Sequence, residues 1–397
     1  MKIEFLDLGK QPIANNFLDD VEQFESEYFY SLRICYDDET HLVSLAEFVS
    51  PEQMFHDGYV YHASLSRTMR DHFKNAALDI QQNFNPKKVL EIGSNDGVFL
   101  RHFSSSSTIA VEPCGNFADM TNKLGYRTYS EFWTSSFANK LIHDEEKRDV
   151  VFAANCMSHI QDLSDAFSGV RNVLSSNGVF IFEDPSLLRV IERNSYDQCY
   201  GAHAHIFSVT ALSKILNEQN LRIFRVENLD VHGGSNRIFA CKKECTKFPV
   251  EDSVIENLKL EKSLGLNNFS TYQAFGLRVK KSKQQLVTLL KNLKTKNKKI
   301  VSYGATAKST TVFNYCNIGP DIIDCIVDVT PSKQNKFSPG MHIPVISPER
   351  GFDKTVNYAF LGAWNYEEEI CEKENAFLQE GGQFISHIPH VRIIEAK

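Results

Sequence analysis

Two glycine-bearing turns hold the residue types in this chain that could do chemistry. The first is Leu90-Glu91-Ile92-Gly93-Ser94-Asn95-Asp96-Gly97, which follows a strand-like run and opens a helix-like one. Gly93 and Gly97 let the backbone approach a ligand at the carboxyl edge of a parallel sheet, where doubly wound folds bind. Glu112 lies 19 residues after Gly93, just past the next strand-like run, Thr108–Val111. That spacing suits a carboxylate accepting both ribose hydroxyls of a nucleoside. Two nucleoside ligands compete for such a site. A dinucleotide needs G-x-G-x-x-G, so that a helix N-terminus can receive the pyrophosphate, and Asp96 would repel one. An acidic turn suits the cationic methionine moiety of S-adenosylmethionine, with Glu91, Gly93, Asn95, Asp96, Gly97, Glu112 and Pro113 around it. A purely structural glycine turn would leave Glu112 without a role. The second turn, Tyr303-Gly304-Ala305-Thr306-Ala307-Lys308, offers backbone N–H groups and a cation, a combination suited to phosphate.

Alternating strand and helix patterns must position both turns. Strands are predicted at Val89–Ile92, Thr108–Val111, Val150–Ala153 and Val179–Phe182, the last after a turn at Ser175–Gly178, with helical patterns between them. A second alternation has strands at Ile300–Tyr303, Ile322–Asp328, Tyr358–Leu361 and Gln383–Ser386. Strands separated by helices imply parallel, doubly wound α/β sheets. The expected parts are an N-terminal module over 1–63, a first α/β domain over 64–246, a helical connector over 247–298 and a smaller α/β domain over 299–397. Residues Arg278 to Lys299 carry nine basic residues and no acid, read as a solvated helix face or as an electrostatic aid to an anionic ligand.

Composition limits the partners. The 397 residues carry a net charge of −7, so nucleic acid is not an expected ligand. Residues 1–60 hold 13 acids and 3 bases, which leaves the rest slightly basic. No apolar run approaches the roughly 18 residues of a membrane helix. Met1-Lys2-Ile3-Glu4-Phe5 lacks the basic start of a signal peptide. Nine cysteines without a C-x-x-C pair read as a reduced, cytoplasmic protein. A monomer or a weak homo-oligomer is expected, since no self-association stripe stands out.

An ordered set of further segments narrows the reading. They are Phe5-Leu6-Asp7-Leu8-Gly9-Lys10-Gln11-Pro12, Met54-Phe55-His56, Ser158-His159-Ile160, Phe182-Glu183-Asp184-Pro185, Tyr196-Asp197-Gln198, Val231-His232-Gly233-Gly234, Thr330-Pro331-Ser332-Lys333-Gln334-Asn335 and His342-Ile343-Pro344-Val345. With the two turns, they resemble the sugar-nucleotide C-3′-methyltransferases of the tylosin/mycarose and tetronitrose pathways, in colinear order over essentially the whole chain. The resemblance implies a class I, Rossmann-like methyltransferase sheet, a second Rossmann-like C-terminal domain and a small N-terminal module. It implies S-adenosylmethionine as cofactor and a dTDP-linked 4-keto-6-deoxyhexose as substrate, methylated at carbon 3′ through a base-generated enolate. A nicotinamide-dependent sugar-nucleotide oxidoreductase or epimerase is the rival reading, and a chain that only binds ligands is another.

By match to the family, His203 is the base, Tyr200 a hydrogen-bond donor near the keto oxygen, and His159 a further active-site histidine. The resemblance puts Tyr59 and Tyr61 in a segment folded over the site, and adds Ser64 and Asn155 to the methyl-donor pocket. It assigns Tyr303, Ala305, Lys308, Ser309, Lys333, Gln334 and Asn365 to the nucleotide sugar. Two departures stand out. Position 202 is Ala where the family has Glu, through divergence or a deliberate change, so impaired turnover is expected and Ala202→Glu is expected to restore it. The family's two zinc-binding C-x-x-C pairs are missing, with only Cys35 near the second, so no zinc is expected.

Overall fold

The computed structural model describes residues 1–396. Eighteen strands form three sheets. The N-terminal sheet joins β1 (Lys2–Pro12), β2 (Phe29–Asp37), β3 (Val43–Leu45) and β9 (His205–Ile206), all antiparallel. Its last strand comes from a segment some 160 residues later, so residues 1–63 do not close the module by themselves. Leu8, Leu32, Ile34 and Leu45 are fully covered, whereas Phe29 is 40% exposed at the strand end.

The central sheet contains β4 (Val89–Ile92), β5 (Thr108–Val111), β6 (Arg127–Tyr129), β7 (Arg148–Ala154), β8 (Leu174–Pro185), β10 (Leu221–Leu229) and β11 (Ser235–Lys242). Its order is β6-β5-β4-β7-β8-β11-β10, parallel except for β11, which runs antiparallel to both β8 and β10. This is the strand order of a class I methyltransferase. The parallel strands are buried on both faces, which is why β4 and β5 read as short apolar runs. The predicted turn at Ser175–Gly178 is instead the start of β8, which shifts register there to pair with β7. The helix Arg67–Phe84 packs on one face through Met69, Phe73, Ala76, Ala77 and Ile80, at helical spacing. The Ser66 hydroxyl accepts from the Met69 amide to start it, and Asn85, at φ +42°, ends it.

The C-terminal sheet has the order β14-β15-β13-β12-β16-β17-β18. Its strands are β12 (Ile300–Tyr303), β13 (Ile326–Val327), β14 (Lys336–Phe337), β15 (Pro344–Ile346), β16 (Tyr358–Leu361), β17 (Gln383–Ser386) and β18 (Arg392–Ile394). The five inner strands are parallel and the two edges antiparallel. The strand predicted at Ile322–Asp328 shrinks to two residues, because Ile322 and Ile323 turn back to hydrogen-bond Gly319.

The helix Phe269–Thr295 ties the parts together. It buries Tyr272, Phe275, Val279, Leu286 and Leu290, and Phe5 of β1 packs on Tyr272. Its lysines lie on the outer face, with Lys280, Lys281 and Lys291 exposed, as a solvated basic face requires. Among the described residues no helix is long and apolar enough to cross a membrane.

Candidate active site

One cavity of about 500 Å³ lies between the central and C-terminal sheets, roofed by residues 51–63. The donor end is built on the turn after β4. Gly93 sits at φ +72°, and a Cβ there would come within 2.8 Å of the Cys156 Sγ. Glu112, at the end of β5, accepts the Asn95 amide at 2.7 Å and the Cys114 amide at 2.9 Å. Glu91 is buried with Oε2 unpartnered, and Asp96 is buried with Oδ1 unpartnered. Burial pushes the Glu91 carboxyl well above its ordinary value and that of Glu112 upward. The two buried carboxylates on the cavity wall, Glu91 and Glu112, need a cation and hydroxyl donors to be satisfied. The sulfonium, ammonium and ribose of S-adenosylmethionine supply them, so the donor set fits this cofactor.

Glu91, Gly93, Asn95, Glu112, Pro113, Asn155 and Tyr61 line the cavity. Asp96, Gly97 and Ser64 stand behind it. Asp96 Oδ2 accepts the Ser64 amide and hydroxyl, pinning the roof, and Gly97 packs against Thr121. Asn95 holds the same roof from within, accepting the Ala63 amide and donating to the Tyr61 carbonyl.

The acceptor end is aromatic and polar. Phe55, His159, His203 and Tyr200 form a continuous stack, with successive ring centroids 5.3, 5.3 and 4.0 Å apart. The His203 Nδ1 lies 2.6 Å from the Gln198 carbonyl. A carbonyl only accepts, so Nδ1 carries the hydrogen and Nε2 keeps its lone pair. That lone pair accepts from the Tyr200 hydroxyl at 2.8 Å. Burial lowers His203 well below the ordinary histidine value and brings His159 down to about 4. Both imidazoles are therefore neutral near pH 7, and His203 presents a base-ready nitrogen.

Tyr59, Lys308, Lys333 and Asn365 reach the cavity, and four other residues expected there do not. Tyr303 alternates to the far face of β12, packs on Phe352 and Phe384, and donates its hydroxyl to Glu374. Ser309 completes a capping box with Thr306 at the start of the helix Ala307–Cys316. Gln334 donates to the Asp328 carbonyl, and Ala305 is bound at both backbone atoms, by Asp328 and by Lys333. Ala202 does not line the cavity either. The His203 amide bonds back to the Tyr200 carbonyl, and the Ala202 methyl packs against the hydrophobic cluster around the N-terminal sheet.

His232 and Gln198 line the cavity and were not singled out from the residues alone. His232 sits at φ +55° with Nε2 unpartnered, and burial brings it down to about 3. Gly233 follows because a Cβ there would lie 2.3 Å from the Trp364 ring. The signal was a histidine before two glycines at the turn of a hairpin.

The N-terminal module does not fit a zinc ion. Asp37 spends its carboxylate on the Thr40 amide and hydroxyl, and Cys35 is buried in β2. Among the described residues no three His, Cys, Asp or Glu side chains gather as metal ligands would.

Comparison with known proteins matches three family models in chain order. They are a zinc binding domain over residues 1–55, a methyltransferase domain over 61–226 and a C-methyltransferase C-terminal domain over 230–389. The C-methyltransferase NovU of Streptomyces niveus is 29% identical over 400 residues, spanning 100% of this chain and 95% of the relative. Among solved structures, the magnesium protoporphyrin IX methyltransferase of Synechocystis PCC 6803 with bound SAH matches at 11% identity and TM-score 0.35, covering 44% of this chain and 83% of that one. The N-methyltransferase NodS of Bradyrhizobium japonicum WM9 matches at 12% identity and TM-score 0.36, covering 45% and 99%. Matched from end to end in one order, the chain is similar to C-methyltransferases, and its carboxylate-rich donor turn on a class I sheet fits S-adenosylmethionine.

Proposed function

We propose that the acceptor is carbon 3′ of a dTDP-linked 4-keto-6-deoxyhexose. The observation that carries this reading is one cavity holding both a cation-seeking carboxylate pocket and a neutral His203 whose Nε2 is an acceptor, held by the Tyr200 hydroxyl. A carbon acceptor needs such a base, because a C–H must lose its proton before carbon can attack a methyl group. The 4′-ketone makes the neighbouring C–H acidic enough for that step. When bound, the cofactor supplies an electrophilic methyl. His203 Nε2 takes the proton from carbon 3′ once the substrate displaces the Tyr200 hydroxyl. His159, His232 and Gln198 offer unpartnered polar atoms of the kind that hold sugar hydroxyls. Asn365 and Lys333 stand on the C-terminal side, where the nucleotide carrier fits. The Ala202 methyl lies off the cavity, so the base and its tautomer are intact without a carboxylate there.

Mass spectrometry of the chain incubated with S-adenosylmethionine and dTDP-4-keto-6-deoxyglucose tests this reading. A product heavier by one methylene is expected, and an unchanged substrate mass argues against it. In a parallel melt, S-adenosylhomocysteine is expected to raise the unfolding temperature and NADH to leave it unchanged. Stabilisation by NADH alone would favour the oxidoreductase.

A further inference from the structure

An enolate places a negative charge on the carbonyl oxygen, and an enzyme that forms one must meet that charge. Two lysines line the cavity, Lys308 and Lys333. Lys333 is committed: its ammonium donates to the Ala305 carbonyl at 2.8 Å and lies over the Phe17 ring. Lys308 makes no hydrogen bond or ion pair with any described residue. It sits in the first turn of the helix Ala307–Cys316, with Thr306 and Ala307 also on the cavity wall. The positive end of that helix therefore adds to its charge.

The location of Lys308 is also specific. It shares the lining of one cavity with His203 and His232, and its charge acts on both imidazoles. The Tyr200 hydroxyl, once displaced from His203 Nε2, can donate a hydrogen bond but is neutral and brings no positive charge. The three cavity histidines carry no charge near pH 7. Among the described cavity residues, Lys308 is the cation left free to meet an oxyanion next to the carbon that His203 deprotonates.

We propose that Lys308 is a catalytic residue that binds the 4′-oxygen of the keto sugar and neutralises the enolate formed there. This rests on the function proposed above. His203 Nε2 takes the carbon 3′ proton, the C–H pair forms the C3′=C4′ bond, and the carbonyl π pair moves to the oxygen beside the Lys308 ammonium. Carbon 3′ then bonds the methyl carbon with the returning pair. C4′=O reforms, and the bond from methyl to sulfur breaks with its electrons going to sulfur. Burial lowers the Lys308 pKa while Asp197 nearby opposes it, which makes a stronger hydrogen-bond donor that is still drawn to the charged form.

The competing role is a pyrophosphate clamp, and Lys308→Met separates the two. Deuterium uptake at carbon 3′ in heavy water, with S-adenosylhomocysteine bound, reads enolisation alone. Calorimetry with dTDP reads the carrier site. The proposal expects enolisation and kcat to fall about 100-fold or more, with dTDP affinity within about twofold of the parent. Recovery of exchange by ethylammonium in Lys308→Ala would support it further. A variant that loses dTDP affinity but keeps its exchange rate overturns it in favour of the clamp. A parent chain that neither exchanges nor methylates any 4-keto sugar nucleotide overturns the parent function, and this role with it.

Discussion

The two α/β sheets use the same backbone device to opposite ends. In each, the first strand lies in the middle, a glycine turn follows it, and an acidic residue closes the second strand. The Gly93 amide bonds Val111 and the Gly304 amide bonds Val327, both at 2.8 Å. Glu112 accepts the Asn95 amide, and Asp328 accepts the Ala305 amide, again at 2.7 Å each. The difference lies in what is left over. Around the first turn, Glu91 and Asp96 keep unpartnered oxygens beside the cavity. Around the second, Asp328 holds the Ala305 and Thr330 amides without lining the cavity, and Lys333 caps the Ala305 carbonyl. The second turn is thereby sealed and presents Lys308 instead. One scaffold thus makes a cation site and an anion site, and the side chains behind the turn decide which.

The sharpest way to break this comparison is at the catalytic end. His203→Asn is expected to lower methyl transfer about 1,000-fold while leaving S-adenosylhomocysteine affinity within about twofold, measured by radiolabel transfer and calorimetry. A loss of cofactor affinity instead would put the base in the donor pocket. The next effect compares the two acidic residues directly. Glu112→Ala is expected to weaken S-adenosylhomocysteine binding by about 10- to 100-fold, because it frees two turn amides as well as removing the ribose acceptor. Asp328→Ala is expected to leave that affinity unchanged and to cost about 1 kcal/mol, seen as a lower melting temperature of a few degrees. Equal losses of affinity in both variants would mean that the two turns are not separate sites.

The first turn was legible because its chemistry is local. Glycines, carboxylates and an apolar strand sit within 25 residues, and a parallel strand fixes where its end points. The second turn was legible as a motif but only half legible as a site. Strand alternation sends Tyr303 away from the cavity, and helix capping consumes Ser309. Neither is readable without knowing which face of β12 is covered. Contributions that depend on distant packing were not legible at all. Asn15 and Phe55 reach the cavity because the N-terminal sheet borrows β9 from beside His203. His232 reaches it because Trp364, from the other sheet, fills the space beside Gly233.

The smallest expected effect is a difference in proton linkage between the two ends. At the donor end, burial raises Glu91 and Glu112 in the free chain. A bound ammonium favours the ionised carboxylate and lowers both values. Cofactor binding therefore releases protons, and affinity rises with pH through the range where the free carboxylates titrate. At the acceptor end, His159 at about 4 and His232 at about 3 are already neutral, and an anion would raise both from a low start. Neither takes up a proton between pH 8 and pH 6, so the affinity of dTDP-glucose, whose doubly esterified pyrophosphate does not titrate there, is expected to be flat. Calorimetry in two buffers of different ionisation enthalpy reads both numbers. A fraction of a proton released by S-adenosylmethionine at pH 7, reduced in Glu91→Gln, together with none exchanged by dTDP-glucose, is the expected pair. Proton uptake with dTDP-glucose would mean that a histidine there meets the phosphates as a cation, and the division of charge between the two turns would fail.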